Sequence, residues 1–217
     1  MLAGVALVAL HLGRSRPLTP AVSLPPLHPM TLLQARLVAG GESQIGDAYD
    51  ASYVSLAYPN GDPPKGRGAC TDVVVRSLRT GGWDLQALVH QDMAAHWDQY
   101  PHRWGLAGPD PSIDHRRVPN LARFFQRHGQ TLTRAVTPAT LAQWQPGDIV
   151  CWRTPGGGDH TGLVADRRSL RGVPLVIHNA SRCREEDVLT QWPIVGHYRY
   201  PQADKRNTPA APRTIGA

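Results

Sequence analysis

GRGACTDVVVRSLR, residues 66–79, sets two glycines and an alanine ahead of Cys70 and then turns helical. Val73, Val74, Ser77 and Leu78 fall on one face, and Gly81-Gly82 stops the run. A thiol at a helix start meets unpaired backbone N–H groups and the positive end of the helix dipole, which lowers its pKa and favours the thiolate. Upstream, residues 31–40 (TLLQARLVAG) have helical spacing and end at Gly40-Gly41. Residues 46–57 read as a short helix or extended segment, and 58–64 as a loop. Downstream, Asp84 caps a helix from Leu85 to about Asp98, residues 99–117 form a long polar loop with three prolines, and Val118–His128 is helical. The period then changes. DIVCWR (148–153), HTGLVAD (160–166), PLVIHN (174–179) and VGHYRY (195–200) are short, β-branched and bounded by turns, as antiparallel strands are. Helices first and a small antiparallel sheet second is an α+β pattern.

His160 opens one of these strands and His178 nearly closes the next, eighteen residues on. In an antiparallel pair the start of one strand lies beside the end of its neighbour, so both imidazoles fall at one edge of the sheet. Side chains alternate between faces, so either His178 or Asn179 faces His160, not both. Cys70 opens a helix of the first half and the histidines ride the sheet of the second, with function in the cleft between them. A thiol, an imidazole to take its proton and a polar group to orient that imidazole constitute a cysteine hydrolase or acyltransferase. No C-x-x-C, H-x-x-x-H or H-E-x-x-H spacing occurs, so His90, Asp92 and the Asp114-His115 pair remain the weaker metal alternative, and no metal or cofactor is implied.

The chain has 217 residues, enough for one domain, with a net charge of +6 and a pI near 9.6. Basic charge suits an acidic polymer such as nucleic acid, anionic lipid or bacterial wall material. The cations are scattered without interleaved aromatics, which excludes the nucleic-acid class. Residues 1–30 read as an export signal or disordered segment, 31–200 as the folded domain and 201–217 as a disordered tail. The apolar stretch Leu2–Leu10 is too short to span a bilayer. It has the length of a signal-peptide core without basic residues before it, as a start assigned too late would leave it, so a periplasmic or secreted protein is expected. Pairing Cys151 with Cys183 would leave Cys70 free; reach argues against that bridge, and Cys151 reads as a small buried apolar residue.

The order of a Cys at a helix start, a His on a strand and a polar residue on the next strand resembles the NlpC-type branch of the papain-like cysteine peptidases. Those enzymes cut peptide or amide bonds in bacterial peptidoglycan. GDIVCW, HTGLV and VIHN are similar to that family's strands, and Tyr58 lies twelve residues before Cys70, where the family carries a tyrosine. Within the clan, YPNGDPPKGRGACTDVVVRSLR, DLQALVHQDM, PDPSIDHRRVPNL and VIHN through GHYRY resemble a bacterial family known only as a domain of unknown function. Thr71-Asp72 stand where the better-known peptidases have Ser-Gly, and the loop ASRCREED (180–187) lacks their glycine. The resemblance implies a papain-like NlpC-type fold. It makes Cys70 the nucleophile, His160 the base and His178 the orienting residue, with Asn179 as the alternate. The Cys70 N–H and the Tyr58 hydroxyl would form the oxyanion site.

Asp72 either favours the helix dipole or binds a substrate amine or Arg76. Asp114, His115 and Arg116 are either substrate contacts or a structural Asp–Arg pair. Arg67, Arg76, Arg116, Arg117 and Arg182 are expected around the cleft, where they would hold substrate carboxylates. Peptidoglycan is the expected partner, and an antibacterial role would add an immunity or inhibitor protein that no residue identifies. The alternatives are an acyltransferase or hydrolase of the same fold acting on lipid or small amides, and a non-catalytic wall-binding module.

Overall fold

A computed structural model describes residues 23–201. The stretch Leu2–Leu10 and the tail from residue 202 lie outside the described residues. The chain runs through α1 (Leu32–Glu42), a two-residue parallel ladder of β1 (Ala48–Tyr49) with β2 (Arg67–Gly68), α2 (Cys70–Thr80), α3 (Leu85–Ala95) and α4 (Val118–His128). It then forms β3 (Gln130–Thr131), β4 (Ile149–Arg153), β5 (Asp159–Arg168), β6 (Pro174–Asn179), β7 (Cys183–Glu186) and β8 (Ile194–Arg199). These six strands make one antiparallel sheet in the order β3-β8-β4-β5-β6-β7. The architecture is α+β, with helices packed on one face of the sheet. Among the described residues no helix is long and apolar enough to cross a membrane.

Both faces of the central strands are buried. On the helical side Val74, Val75 and Leu78 of α2 pack with Leu121 and Phe125 of α4 against Ile149, Cys151 and Leu163. On the other side Val150, Trp152, Val164 and Val176 lie under Trp144, Val188 and Leu189 from the loops. Burial of each such side chain stabilises by about 1.5–3 kcal/mol. All three cysteines are free and buried, with Cys151 packed in the helical-side core.

Four expectations change. First, α1 does not stop at Gly40-Gly41 but runs through them to Glu42. A Cβ on Gly40 would lie 2.6 Å from Thr80 Oγ1 and 2.9 Å from the Ser77 Cα, so glycine marks the close approach of α2 rather than a helix end. Second, residues 180–187 are not all loop, because Cys183–Glu186 pair with β6. Third, the polar segment 99–117 ends in a buried 3-10 turn, Asp114–Arg116. Fourth, residues 24 and 25 are tied down: Leu24 and Arg168 exchange backbone hydrogen bonds at 2.8 Å, and Arg168 Nε donates to the Pro25 carbonyl at 2.7 Å.

Gly40→Ala should therefore lower stability by about 1–3 kcal/mol in thermal unfolding, as overpacking does, although helix propensity alone favours alanine by about 1 kcal/mol. A stabilised variant would show that the α1–α2 contact yields.

Candidate active site

Cys70 is the first residue of α2 and is 6% exposed. The helix start is held by Asp72, whose Oδ2 accepts from the Ala69 N–H at 2.6 Å. Arg116 closes on the same carboxylate, with Nε at 3.1 Å from Oδ1 and Nη2 at 3.1 Å from Oδ2. The pair is almost fully buried, at 2% and 1% side-chain exposure. The rest of the guanidinium donates to the Ser52 and Asp50 carbonyls at 2.7 and 3.1 Å. Thr71 Oγ1 donates to the Arg116 carbonyl at 3.2 Å.

On the sheet, Leu163 pairs with Ile177, and continuing that register sets Gly162 opposite His178. His160 is two residues from Gly162 and so shares a face with His178. A Cβ on Gly162 would lie 2.9 Å from the Ile177 carbonyl oxygen and 3.0 Å from the His178 Cβ, which explains glycine there. His160 Nε2 and His178 Nδ1 are 2.9 Å apart, and His178 Nε2 lies 3.1 Å from Glu186 Oε2. The His160 ring stacks on Trp152 with centroids 5.6 Å apart, and Trp192 stands edge-on to it at 5.4 Å.

The direction of the two hydrogen bonds is fixed by their end. A carboxylate only accepts, so His178 donates from Nε2 and presents a bare Nδ1. His160 must then donate from Nε2, and its own Nδ1 carries the lone pair. Burial, then the neighbouring His178, pushes His160 down to about 4, so at neutral pH it is an unprotonated base. Burial lowers His178 too, against the opposing pull of Glu186.

The thiol departs from expectation. Burial pushes Cys70 up to about 11, Asp72 adds to this, and the N–H groups of Thr161, Thr71 and Cys70 itself pull the other way without prevailing. Desolvation outweighs the helix terminus. Cys70 thus rests as a neutral thiol and His160 as a neutral imidazole, and no hydrogen bond joins the two side chains among the described residues. The Thr161 backbone that lowers the thiol belongs to the residue after His160, on the strand against which α2 packs.

Other expected site residues fall elsewhere. Asn179 lies on the face opposite His178; its Nδ2 donates to the carbonyls of Gly68 (2.9 Å) and Asp47 (3.3 Å), so it secures the backbone before Cys70 rather than His160. Asp72 and Arg116 are spent on each other, not on substrate or Arg76. Asp114 is fully buried with Oδ2 3.0 Å from His90 Nδ1, and His115 is 1% exposed, pushed down to about 4 by burial. None of these three loop residues offers a surface to substrate. Tyr58 accepts from Gln91 Nε2 at 3.3 Å and sets its ring against His90, on α3. The tyrosine within electrostatic reach of Cys70 is Tyr49. Burial first, then Cys70 and Asp72, raise its phenol above the ordinary value. The parallel pairing of Tyr49 with Gly68 brings it there.

The arginines expected around the cleft are also engaged. Arg76 pairs with Asp62 (2.9 Å) and Asp47 (3.1 Å), Arg67 with Asp50 (3.4 Å), Arg182 with the Gly46 carbonyl (2.6 Å), and Arg117 covers Trp104 at 4.1 Å. Two functional candidates were missed in the sequence. Glu186 sits in a segment with no apolar alternation to mark a strand. Tyr49 is one of three tyrosines before Cys70, and counting twelve residues back selects Tyr58.

Residues 38–200 match the family model described as a domain of unknown function, DUF1287. The chain belongs to the DUF1287 family. The DUF1287 chain is 47% identical over 184 residues to the Escherichia coli (strain K12) protein YijF, described as uncharacterized, covering 81% of this chain and 88% of that one. Among solved structures, NlpC2 from Trichomonas vaginalis is similar with a TM-score of 0.42 at 15% identity, over 80% of this chain and 48% of that one. This chain thus spans about half the length of NlpC2. An N-acetylmuramoyl-L-alanine amidase from Bacteroides uniformis is similar with a TM-score of 0.48 at 13% identity, over 79% of this chain and 100% of that one.

Two measurements check the site without a substrate. Long-range proton–nitrogen spectra should show His160 protonated at Nε2 and bare at Nδ1, and Glu186→Ala should mix the tautomers. A bare Nε2 in the unaltered protein would sink the assignment. Iodoacetamide should alkylate Cys70 slowly at pH 7, at a rate that still climbs above pH 9, because only the thiolate reacts. A rate that saturates below pH 7 would show a resting thiolate instead.

Proposed function

We propose that this protein is a cysteine amidase or endopeptidase that cuts amide bonds in the peptide stems of bacterial peptidoglycan. The observation that carries the reading is the hydrogen-bonded line Glu186–His178–His160, which starts on β5, the strand against which the Cys70 helix packs. A buried thiol of this kind is inert unless a base removes its proton as it attacks, and His160 Nδ1 is that base. The order of the motifs along the chain, similar to the NlpC-type peptidases, supports the substrate class.

In the first step Sγ attacks the amide carbonyl carbon while its proton passes to His160 Nδ1. The carbonyl π pair moves onto oxygen, where the Cys70 N–H and the Tyr49 hydroxyl are the donors at hand. The imidazolium formed is held by His178 Nδ1, with the Glu186 carboxylate behind it. On collapse the C–N bond breaks and His160 returns the proton to the leaving amine, leaving a thioester. Water, deprotonated by the same Nδ1, attacks the thioester and releases the acid and the thiol. No redox partner is needed. The site of action is the periplasm or the exterior, the reading that the apolar stretch Leu2–Leu10 supports.

Incubation of the purified protein with sacculi or muropeptides, followed by mass spectrometry, should show new amine ends. Cys70→Ala should abolish them. His178→Ala should lower turnover by about 100-fold or more, on the scale of general-base losses, whereas Asn179→Ala should act through stability. Tyr49→Phe should cost about 10- to 1000-fold, the cost of an oxyanion donor, and Tyr58→Phe little. New reducing ends would mark a glycosidase, and turnover of lipid or small amides alone would move the reading to an acyltransferase or hydrolase of another substrate class.

A further inference from the structure

Beside the nucleophile, α4, the 99–103 loop and the ends of β4, β5 and β8 enclose a cavity of about 250 Å³. Cys151 lines it, and so do Arg103, Arg123, Arg153 and Asp159. Two facts place it beside Cys70. Cys151 packs in the same core cluster as Cys70, and it pairs in register with Thr161, the residue after His160. Asp159 and His160 leave β5 on opposite faces, so the cavity opens on the side of the sheet where Cys70 packs.

The charges in this wall do not balance. Arg103 and Arg153 share one carboxylate, Asp159, with Nη1 of Arg103 3.3 Å from Oδ2 and Nη1 of Arg153 2.9 Å from Oδ1. Arg123 is turned to neutral partners only, the carbonyl and Oε1 of Gln99, at 2.9 and 3.3 Å. Three guanidinium groups face one carboxylate, a surplus of two positive charges among the lining residues. Arg103 and Arg153 are 53% and 39% exposed, so their remaining N–H groups are open to a ligand. Two forks that already clasp one planar carboxylate are disposed to take a second beside it.

We propose that this cavity binds a free carboxylate of the amide substrate, within one or two residues of the bond that is cut. The inference rests on the amide-hydrolase reading for the position of the substrate. It replaces the arginines singled out in the sequence by Arg103, Arg123 and Arg153, which no motif marks. It also names a selectivity: stem peptides with free carboxyl groups are substrates, and stems whose carboxyl groups are amidated are poor ones.

Binding is measured on the full chain carrying Cys70→Ala, so that cleavage plays no part. The probes are a stem tripeptide of L-Ala, γ-linked D-Glu and diaminopimelate, its fully amidated form, and inorganic phosphate. By calorimetry the free acid should bind about tenfold or more tightly than the amide, the scale of charge-assisted hydrogen bonds. Arg103→Gln with Arg153→Gln should reduce that ratio to about twofold or less, with the thermal midpoint kept. Equal affinity for acid and amide, no binding of either, or a ratio untouched by the double variant would overturn the site. Phosphate binding as tightly as the tripeptide would also overturn it, in favour of a general phosphate pocket. Turnover by the unaltered protein separates the two readings. Selective binding without amide cleavage leaves the carboxylate site standing and removes the hydrolase; cleavage of acid and amide alike does the reverse.

Discussion

A single buried ion pair, Asp72 with Arg116, holds the region around Cys70 in place. Asp72 caps the helix that Cys70 opens, and Arg116 carries that anchor to the carbonyls of Asp50 and Ser52. With both side chains at 2% exposure or less, removing either partner would strand a charge away from water at a cost of about 3–5 kcal/mol. The β1–β2 ladder lies inside this clamp, and through it Tyr49 is presented to Cys70. Asn179, on the hidden face of β6, adds a second tie to Gly68. The residues immediately before the nucleophile are thus fixed by side chains that never meet solvent.

Against that rigid start the chemistry is set by desolvation. A helix terminus and three N–H groups favour a thiolate, yet burial prevails and Cys70 rests protonated. The same burial keeps His160 neutral. In the proposed reaction a neutral pair hands over its proton only during attack, and the positive charge then appearing on His160 would be met by His178 and Glu186. The relay reaches the sheet edge at a carboxylate 38% exposed, so its far end is partly solvated. Packing of Trp152 and Trp192 against the imidazoles excludes water from the near end.

Several features were legible in the residues themselves. Helix period in 70–80 and 118–128, short β-branched runs in 148–153 and 174–179, and turn residues between them yield helices on an antiparallel sheet, because spacing dictates the buried face of a helix and a continuous apolar run suits a strand buried on both faces. Cys70, His160 and His178 were legible for the same reason: each stands at the end of an element, and antiparallel pairing alone brings the two histidines to one edge. Gly40-Gly41 misled because glycine serves both to end helices and to admit a neighbouring helix, and only the position of α2 distinguishes the two.

What the sequence by itself determined was the period of each element, and with it the α+β class and the meeting of strand β5's start with strand β6's end, while the β5–β6 register decided that His178 rather than Asn179 faces His160. The tertiary structure decided what lies near what across long loops. It placed Glu186 behind His178 through a strand with no apolar signature, brought Tyr49 within electrostatic reach of Cys70 through a two-residue parallel ladder, and turned Asp72, Asp114, His115 and Arg116 inward. It also decided the protonation of Cys70. The physical reason is common to all four. Local periodicity reports only how a side chain leaves its own backbone, whereas burial and charge pairing depend on which distant segment arrives opposite it, and that distance sets both the desolvation and the partner.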